Sequence, residues 1–224
     1  MRDKTIVITG AFGALGRAAA EVASAEGARV AMLDLKTAPQ SLTASALAIA
    51  VDLSDLAATT RAMEKVRAQT GAIDALLNIA GGFAWQTVAD GGFETWERMF
   101  KLNLVTALTA TKAALPHLIE AQGAIVNVGA ASALKAGAGM GAYAASKQAV
   151  MKLTESLAEE LKGKVRVNAV LPSILDTAQN RADMPNADPT AWVQPAELAK
   201  VMLFLASSEA SAVTGALVPV MGRV

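Results

Sequence analysis

Five β-branched residues, Thr5-Ile6-Val7-Ile8-Thr9, run without a break into Gly10-Ala11-Phe12-Gly13-Ala14-Leu15-Gly16-Arg17 and then into an alanine-rich segment, Ala18 to Ala25. A strand that enters a helix through three glycines has few architectures open to it, because the turn must be tight and the helix must return across the sheet. Gly10 can turn the chain sharply, Gly13 lets the backbone approach a pyrophosphate, and Gly16 allows the helix to pack closely on the sheet. The helix N-terminus offers unpaired N–H groups to the same anion. Phe12, Ala14 and Leu15 share the turn and join the glycines as candidate nucleotide contacts. Three glycines in such a turn can also serve packing alone, so the nucleotide reading rests on their place between strand and helix.

The rest of the chain repeats that alternation. Ile6 to Thr9, Arg29 to Leu33, Ala48 to Val51, Ala75 to Asn78, Ala124 to Val128, Val165 to Val170 and Leu217 to Val220 read as strands, with helical periodicity between most of them. Near-continuous apolar strands imply burial on both faces, and strand–helix alternation implies right-handed crossovers. The expected fold class is therefore α/β, a doubly wound parallel sheet of about seven strands with helices on both faces. A length of 224 residues suits one domain over 1–224. One stretch, Asp176 to Gln194, is long and irregular for a connection and reads as a substrate lid; a surface loop without a role is the alternative.

Composition removes several function classes. Lys plus Arg and Asp plus Glu are balanced at 20 each, which argues against a nucleic-acid partner. The chain has no cysteine, which excludes disulfides and thiolate chemistry, and its single histidine, His117, cannot build a cluster, so no metal site is expected. Apolar runs are interrupted well before the ~20 residues needed to cross a bilayer, so no membrane partner is expected. Met1-Arg2-Asp3-Lys4 leads straight into the first strand and leaves no room for a signal segment, so the expected location is cytoplasmic.

Two acidic residues follow the second and third strands. Asp34 stands roughly 20 residues beyond the glycines, where a carboxylate can accept hydrogen bonds from a ribose and repel a 2′-phosphate. This favours NAD(H), and NADP(H) stays open because Arg17 and Lys36 can offset the charge. Asp34 as a solvated turn residue is the alternative. Asp52, followed by Leu53, either meets an adenine amino group or caps a helix beginning near Ser54.

Tyr143-Ala144-Ala145-Ser146-Lys147 opens a long helical segment, and the separation of four puts phenol and ammonium on one face. A phenol with a reference pKa of about 10 is a poor proton carrier at neutral pH, but a neighbouring ammonium and an oxidised nicotinamide favour its anion. Lys147 is therefore expected to lower the Tyr143 pKa. Tyr and Lys on a solvated helix face are the plainer reading of the same spacing.

The glycine turn, Asn78-Ile79-Ala80-Gly81, Asn103, Tyr143-x-x-x-Lys147 and Pro172-x-Ile174-x-x-Thr177 occur in the order found in short-chain dehydrogenases/reductases, which the chain resembles over nearly its whole length. The resemblance implies a single-domain Rossmann fold and an NAD(P)-dependent oxidoreductase. It implies that Tyr143 donates or accepts the substrate proton, Lys147 orients the nicotinamide ribose and Asn103 supports a water relay. Asn78, Ala80 and Gly81 would line the adenosine side, and Pro172, Ile174 and Thr177 the nicotinamide end. A homodimer or homotetramer through paired helices is implied as well. Leu104, Leu108, Val150 and Leu157, on the helices Phe93 to Leu118 and Ala142 to Leu161, are the candidate interface, with core packing as the alternative.

Three positions depart from the family pattern. Ala130, thirteen before the tyrosine, stands where the family carries its catalytic serine. Ser132 can replace it only if the loop is rearranged. Ala14 stands at the second glycine of the turn, and Ile79 at the second asparagine of Asn-Asn-Ala-Gly. Gly129-Ala130-x-x-Ala133-Leu134, Gly139-Met140-x-x-Tyr143, Ala80-Gly81-Gly82-Phe83, and Leu171-Pro172 through Asn180-Arg181, Met184-Pro185 and Trp192 are similar to the quinonoid dihydropteridine reductase branch. Reducing a quinonoid pterin generates no alkoxide, so a serine clamp is less needed there. Phe83, Trp85, Ala130, Met140, Met184 and Trp192 are the expected pocket for a small-molecule substrate, and these aromatics can equally be core. The expected function is hydride transfer between nicotinamide and a small carbonyl, alcohol or quinonoid ring. A catalytically weak NAD-binding sensor or scaffold is the rival.

Overall fold

All five residues of the first strand are buried, and they alternate between two different cores: Ile6 and Ile8 point to one face of the sheet, Val7 to the other. This is why the run is apolar without alternation. In a computed structural model that describes residues 1–38 and 47–223, seven strands form one sheet. They are β1 (Thr5–Thr9), β2 (Arg29–Asp34), β3 (Leu47–Ala50), β4 (Ala75–Asn78), β5 (Ala124–Val128), β6 (Arg166–Pro172) and β7 (Leu217–Val220). Their spatial order is β3-β2-β1-β4-β5-β6-β7, and every neighbouring pair is parallel.

Helices α1 (Ala14–Ala25) and α7 (Pro195–Ala206) cover one face, where Leu15, Ala19 and Ala23 meet Leu198, Ala199 and Met202 over Ile8 and Met32. Helices α2 (Leu56–Thr70), α4 (Thr106–Glu120) and α5 (Gly141–Glu160) cover the other, around Met63, Val66, Leu118, Ile125 and Leu157. The chain moves outward from β1 to β3, then crosses back to place β4 beside β1. Strand order therefore reverses between β1 and β4, and the crevice beyond their carboxyl ends is where such sheets bind ligands.

The expected segment Phe93 to Leu118 is not one regular helix. It divides into α3 (Phe93–Phe100), a π-helical turn at Lys101–Val105, and α4, which continues to Glu120. The wider turn lets Asn103 leave the helix direction and bond outside it, a use π-turns commonly have at functional sites. Helix α1 begins at Ala14, four residues before the alanine-rich run, because Gly13 in extended conformation caps it. The proposed helical interface stripe also divides. Val150 and Leu157 are buried within the chain's own core, since α5 packs on the sheet, whereas Leu104 is half-buried and Leu108 remains partly exposed.

The segment 176–194 contains α6 (Ala178–Asp183) and a short 3-10 turn at Pro189–Ala191. Its two ends are clasped by the parallel bridge Leu175–Val193 and by Gln194 Nε2 donating to Asp176 at 2.9 Å, and an Arg181–Asp176 ion pair ties α6 to the first of them. The Arg181 guanidinium, with Gln194, holds the Asp176 carboxyl at a pKa of about 2. No helix among the described residues is long and apolar enough to cross a membrane.

Candidate active site

The glycine turn is built by backbone contact. Gly10 has φ +61, and a methyl group there would come within 2.7 Å of Ala80 Cα; one at Gly16 would overlap the Gly10 carbonyl. Gly13 differs, since its φ of −73 suits any residue and a methyl would meet only Gly10 O at 3.4 Å. Packing thus requires Gly10 and Gly16 but leaves Gly13 facing free space. Gly16→Ala is accordingly expected to destabilise the fold by roughly 1–3 kcal/mol, whereas Gly13→Ala should leave the melting temperature unchanged; thermal denaturation of both variants measures this. Thr9, which is not among the residues singled out by motif, locks the turn to β4: its Oγ1 accepts from the Ile79 and Ala80 amides at 3.0 and 3.1 Å. A threonine ending a buried strand was its only signal.

Asp34 ends β2 and accepts from the Phe12 amide at 2.9 Å and the Lys36 amide at 3.1 Å, so one carboxylate braces the turn. Asp52 caps no helix. Its Oδ1 accepts from the Ser54 hydroxyl and amide at 2.7 and 2.8 Å, which keeps its pKa below the ordinary carboxylate value, and Asp55 caps α2 instead. Leu53 is buried in the core, so only its backbone is available to a ligand. Asn78 is likewise turned inward: its Nδ2 donates to Asn127 Oδ1 at 2.9 Å and Thr111 Oγ1 at 3.2 Å, pinning β4 to β5 and α4. The short asparagine side chain cannot serve that buried network and the surface together.

Around Tyr143 four elements converge. Lys147 is buried and its Nζ donates to the Val128 carbonyl at 2.8 Å, at the end of β5. Asn103 Oδ1 accepts from the Gly82 amide at 2.9 Å, and its Nδ2 donates to Gly82 O at 3.1 Å and to Ser146 Oγ at 2.9 Å. Ser146 in turn donates to the Tyr143 carbonyl at 2.7 Å. A methyl group on Gly81 would come within 2.6 Å of Asn103 Oδ1 and 3.4 Å of Lys147 Nζ. Gly81 follows Ala80, against which Gly10 packs, so the glycine turn and the Tyr–Lys pair border one crevice. Ser146 was missed because a serine between Tyr143 and Lys147 has no distinctive spacing.

The electrostatics differ from expectation. Burial pushes the Tyr143 phenol up to about 12 and the Lys147 ammonium down to about 8. The expected lowering of Tyr143 by Lys147 is absent, because removing the phenol from water penalises its anion more than an ammonium one turn away, itself bound to a carbonyl, relieves it.

Ala130 is buried at the head of a 3-10 turn, Ala131–Ala133, that contains half-buried Ser132. Phe83 lies edge-on to Tyr143 with ring centroids 5.0 Å apart, and Trp85 is exposed with its Nε1 donating to Ala138 O at 2.9 Å. Met140 precedes α5 and Met184 ends α6. Pro172 ends β6, Ile174 O accepts from the Val193 amide, and Thr177 caps α6. Trp192 departs from the pocket reading: it is only 2% exposed, buried near the end of the 176–194 segment as core. His117 lies at the opposite end of the sheet beside Lys4 and Asp74. A cavity of about 640 Å³ also opens at that end, past Asp74, Gly123 and Arg166, away from Tyr143.

These residues fit a dinucleotide. The N-terminus of α1 has no side-chain cap, the outer side of Gly13 is open, and buried Lys147 faces the glycine side of the crevice.

The family model for short chain dehydrogenase matches residues 4–188. The chain is 37% identical over 240 residues to a meso-2,3-butanediol dehydrogenase of Serratia marcescens, covering 98% of this chain and 94% of that one. It is 32% identical over 240 residues to a 3-oxoacyl-(acyl-carrier-protein) reductase of Thermotoga maritima, covering 99% and 98%. Among solved structures, a carveol dehydrogenase from Mycobacterium avium in complex with NAD superposes with a TM-score of 0.87 at 27% identity, covering 99% of this chain and 97% of that one.

Proposed function

Because this chain belongs to the short-chain dehydrogenase family, an oxidoreductase family acting on alcohols and ketones, we propose that it is an NAD(H)-dependent enzyme that interconverts a small carbonyl and its alcohol, with Tyr143 as the proton donor and acceptor. The observation that carries this reading is the convergence of Gly81, Asn103, Lys147 and the glycine turn on the crevice that Tyr143 borders. Gly10, Phe12, Gly13, Ala14, Leu15 and Gly16 would cradle the pyrophosphate, and Asp34 the adenosine ribose. The bound nicotinamide supplies or accepts the hydride.

The chain's own residues handle the proton. A phenol held near 12 is protonated at neutral pH, ready to donate to a carbonyl oxygen as the adjacent carbon is reduced. Lys147, still largely cationic below about 8, would bind ribose hydroxyls and favour the tyrosinate left behind. Asn103, tied to Gly82 and Ser146, would hold the water that returns a proton. Because Asp34 occupies the Phe12 amide and carries negative charge, NADH is favoured over NADPH. The family likeness supports a homodimer or homotetramer, with exposed Leu102, Val105 and Leu108 as its apolar stripe.

A second reading, reduction of a quinonoid pterin, is favoured by Ala130, which leaves the carbonyl without a serine hydroxyl. One experiment tests both. The purified protein is titrated with NADH and NADPH by fluorescence, then NADH oxidation is followed with a ketone panel and a quinonoid dihydropterin. The expected results are tighter NADH binding, at least tenfold weaker binding to Gly13→Ala, and turnover of ketones. Turnover of the pterin alone moves the assignment to the second reading. Binding without any turnover leaves a sensor and ends both.

A further inference from the structure

The segment following β4 is fastened to the turn preceding α5 by contacts that the proton chemistry does not use. Trp85 Nε1–H donates to Ala138 O at 2.9 Å, and the Gln86 amide donates to Gly139 O at 2.8 Å. The Trp85 ring lies on Gly139, which has φ +74 and no space for a side chain beneath the indole. Two residues before the clasp, Phe83 meets Tyr143 at a ring angle of 75°. Both rings are largely exposed, Phe83 by 56% and Trp85 by 61%, so neither is held there by burial in the core. Tyr143 itself sits in the first turn of α5, where helical packing alone constrains a ring least.

We propose that Trp85 is a positioning residue for Tyr143: its clasp on Ala138 and Gly139 holds Phe83 edge-on against the phenol ring, fixing the ring's direction and keeping water from it. The inference rests on the reading of Tyr143 as the proton donor. Its physical basis is that residues 79–92 contain no helix or strand, so Phe83 has no regular element to aim it and the clasp two residues on provides the anchor. An edge-to-face pair has a preferred geometry, so fixing one ring fixes the other. Phe83 from this segment meets the Tyr143 ring, while along α5 Ser146 bonds the Tyr143 carbonyl and Lys147, the charged group one turn on, bonds Val128 O.

Tyr143 is the only tyrosine in the chain, so its ionisation can be read directly from tyrosinate ultraviolet absorbance in the full-length protein, without substrate. Wild type is expected to resist ionisation until the fold is lost, as monitored by circular dichroism. Phe83→Ala and Trp85→Ala are both expected to ionise while still folded, at a midpoint near the ordinary value of 10.0. In turnover each single change should lower kcat about two- to tenfold, the scale of one aromatic pair, with NADH affinity unchanged. The double variant should be no worse than the stronger single, because the two act through one contact. Trp85→Phe keeps a ring on Gly139 without the Ala138 bond and should fall between.

Losses that multiply in the double variant, an unmoved tyrosinate midpoint, or a change confined to KM would overturn the inference. Failure of the underlying reading looks different: Tyr143→Phe would then retain turnover. If Tyr143→Phe is inactive while Phe83 and Trp85 act independently, only the positioning role falls.

Discussion

Tyr143→Phe is expected to lower turnover in both directions by about 100- to 10,000-fold, the range that a positioned proton carrier supplies. The ring is kept, so its edge contact with Phe83 survives, and NADH affinity and melting temperature should stay at wild-type values. Steady-state NADH oxidation with a ketone, alongside NADH fluorescence titration, measures both halves. Wild-type pH behaviour follows from the same group. With the phenol held at about 12 by burial, carbonyl reduction should be flat across neutral pH, because the donor form is fully populated. Alcohol oxidation requires the anion, so its rate should climb with pH. A tyrosine acting only as packing would give neither the loss nor the asymmetry between directions.

Lys147→Met is expected to abolish useful turnover while removing a stability penalty. The ammonium is buried, and its pKa falls from 10.5 in the unfolded chain to about 8 in the fold. Between those values the unfolded state binds more protons, so wild-type stability rises with pH through the window and the penalty is fully present below about 8. Its size is about 3 kcal/mol at neutral pH. The variant leaves the Val128 carbonyl without its donor, which costs about 1–3 kcal/mol and offsets part of the gain. The cleanest measurement is the difference in unfolding free energy between wild type and variant. It should move by roughly 2–3 kcal/mol in favour of wild type between pH 7 and pH 10, because the unfolded lysine is still mostly protonated at pH 10. A flat difference would mean that Lys147 is not the buried charge described here. A costly cation retained beneath the crevice is what the proposed role of Lys147 in turnover would require, an exchange of stability for function.

Much of the fold was legible because it follows from local rules. Five β-branched residues entering a glycine turn specify strand, turn and helix, and unbroken apolar strands specify a sheet covered on both faces. Strand ends were right to within one or two residues, since the neighbouring glycines, asparagines and prolines punctuate them. Of the candidate site, the placing of Tyr143 and Lys147 on one helix was legible, because their spacing falls in a segment of helical period. It was not legible where side chains choose between partners distant in sequence. Asn78 turned to Asn127 and Thr111 rather than outward, Trp192 was core rather than pocket, and the helix around Asn103 opened into a π-turn.

The sequence by itself determined the parallel sheet, the glycine turn and the placing of Tyr143 and Lys147 four residues apart on one helix, because each depends on backbone preference and periodicity over short range. Only the tertiary structure decided the direction of the Tyr143 pKa, the inward turn of Asn78 and the clasp of Trp85 on Gly139. Those depend on how much water is excluded and which distant backbone is within hydrogen-bond reach, and these are properties of the packed chain alone.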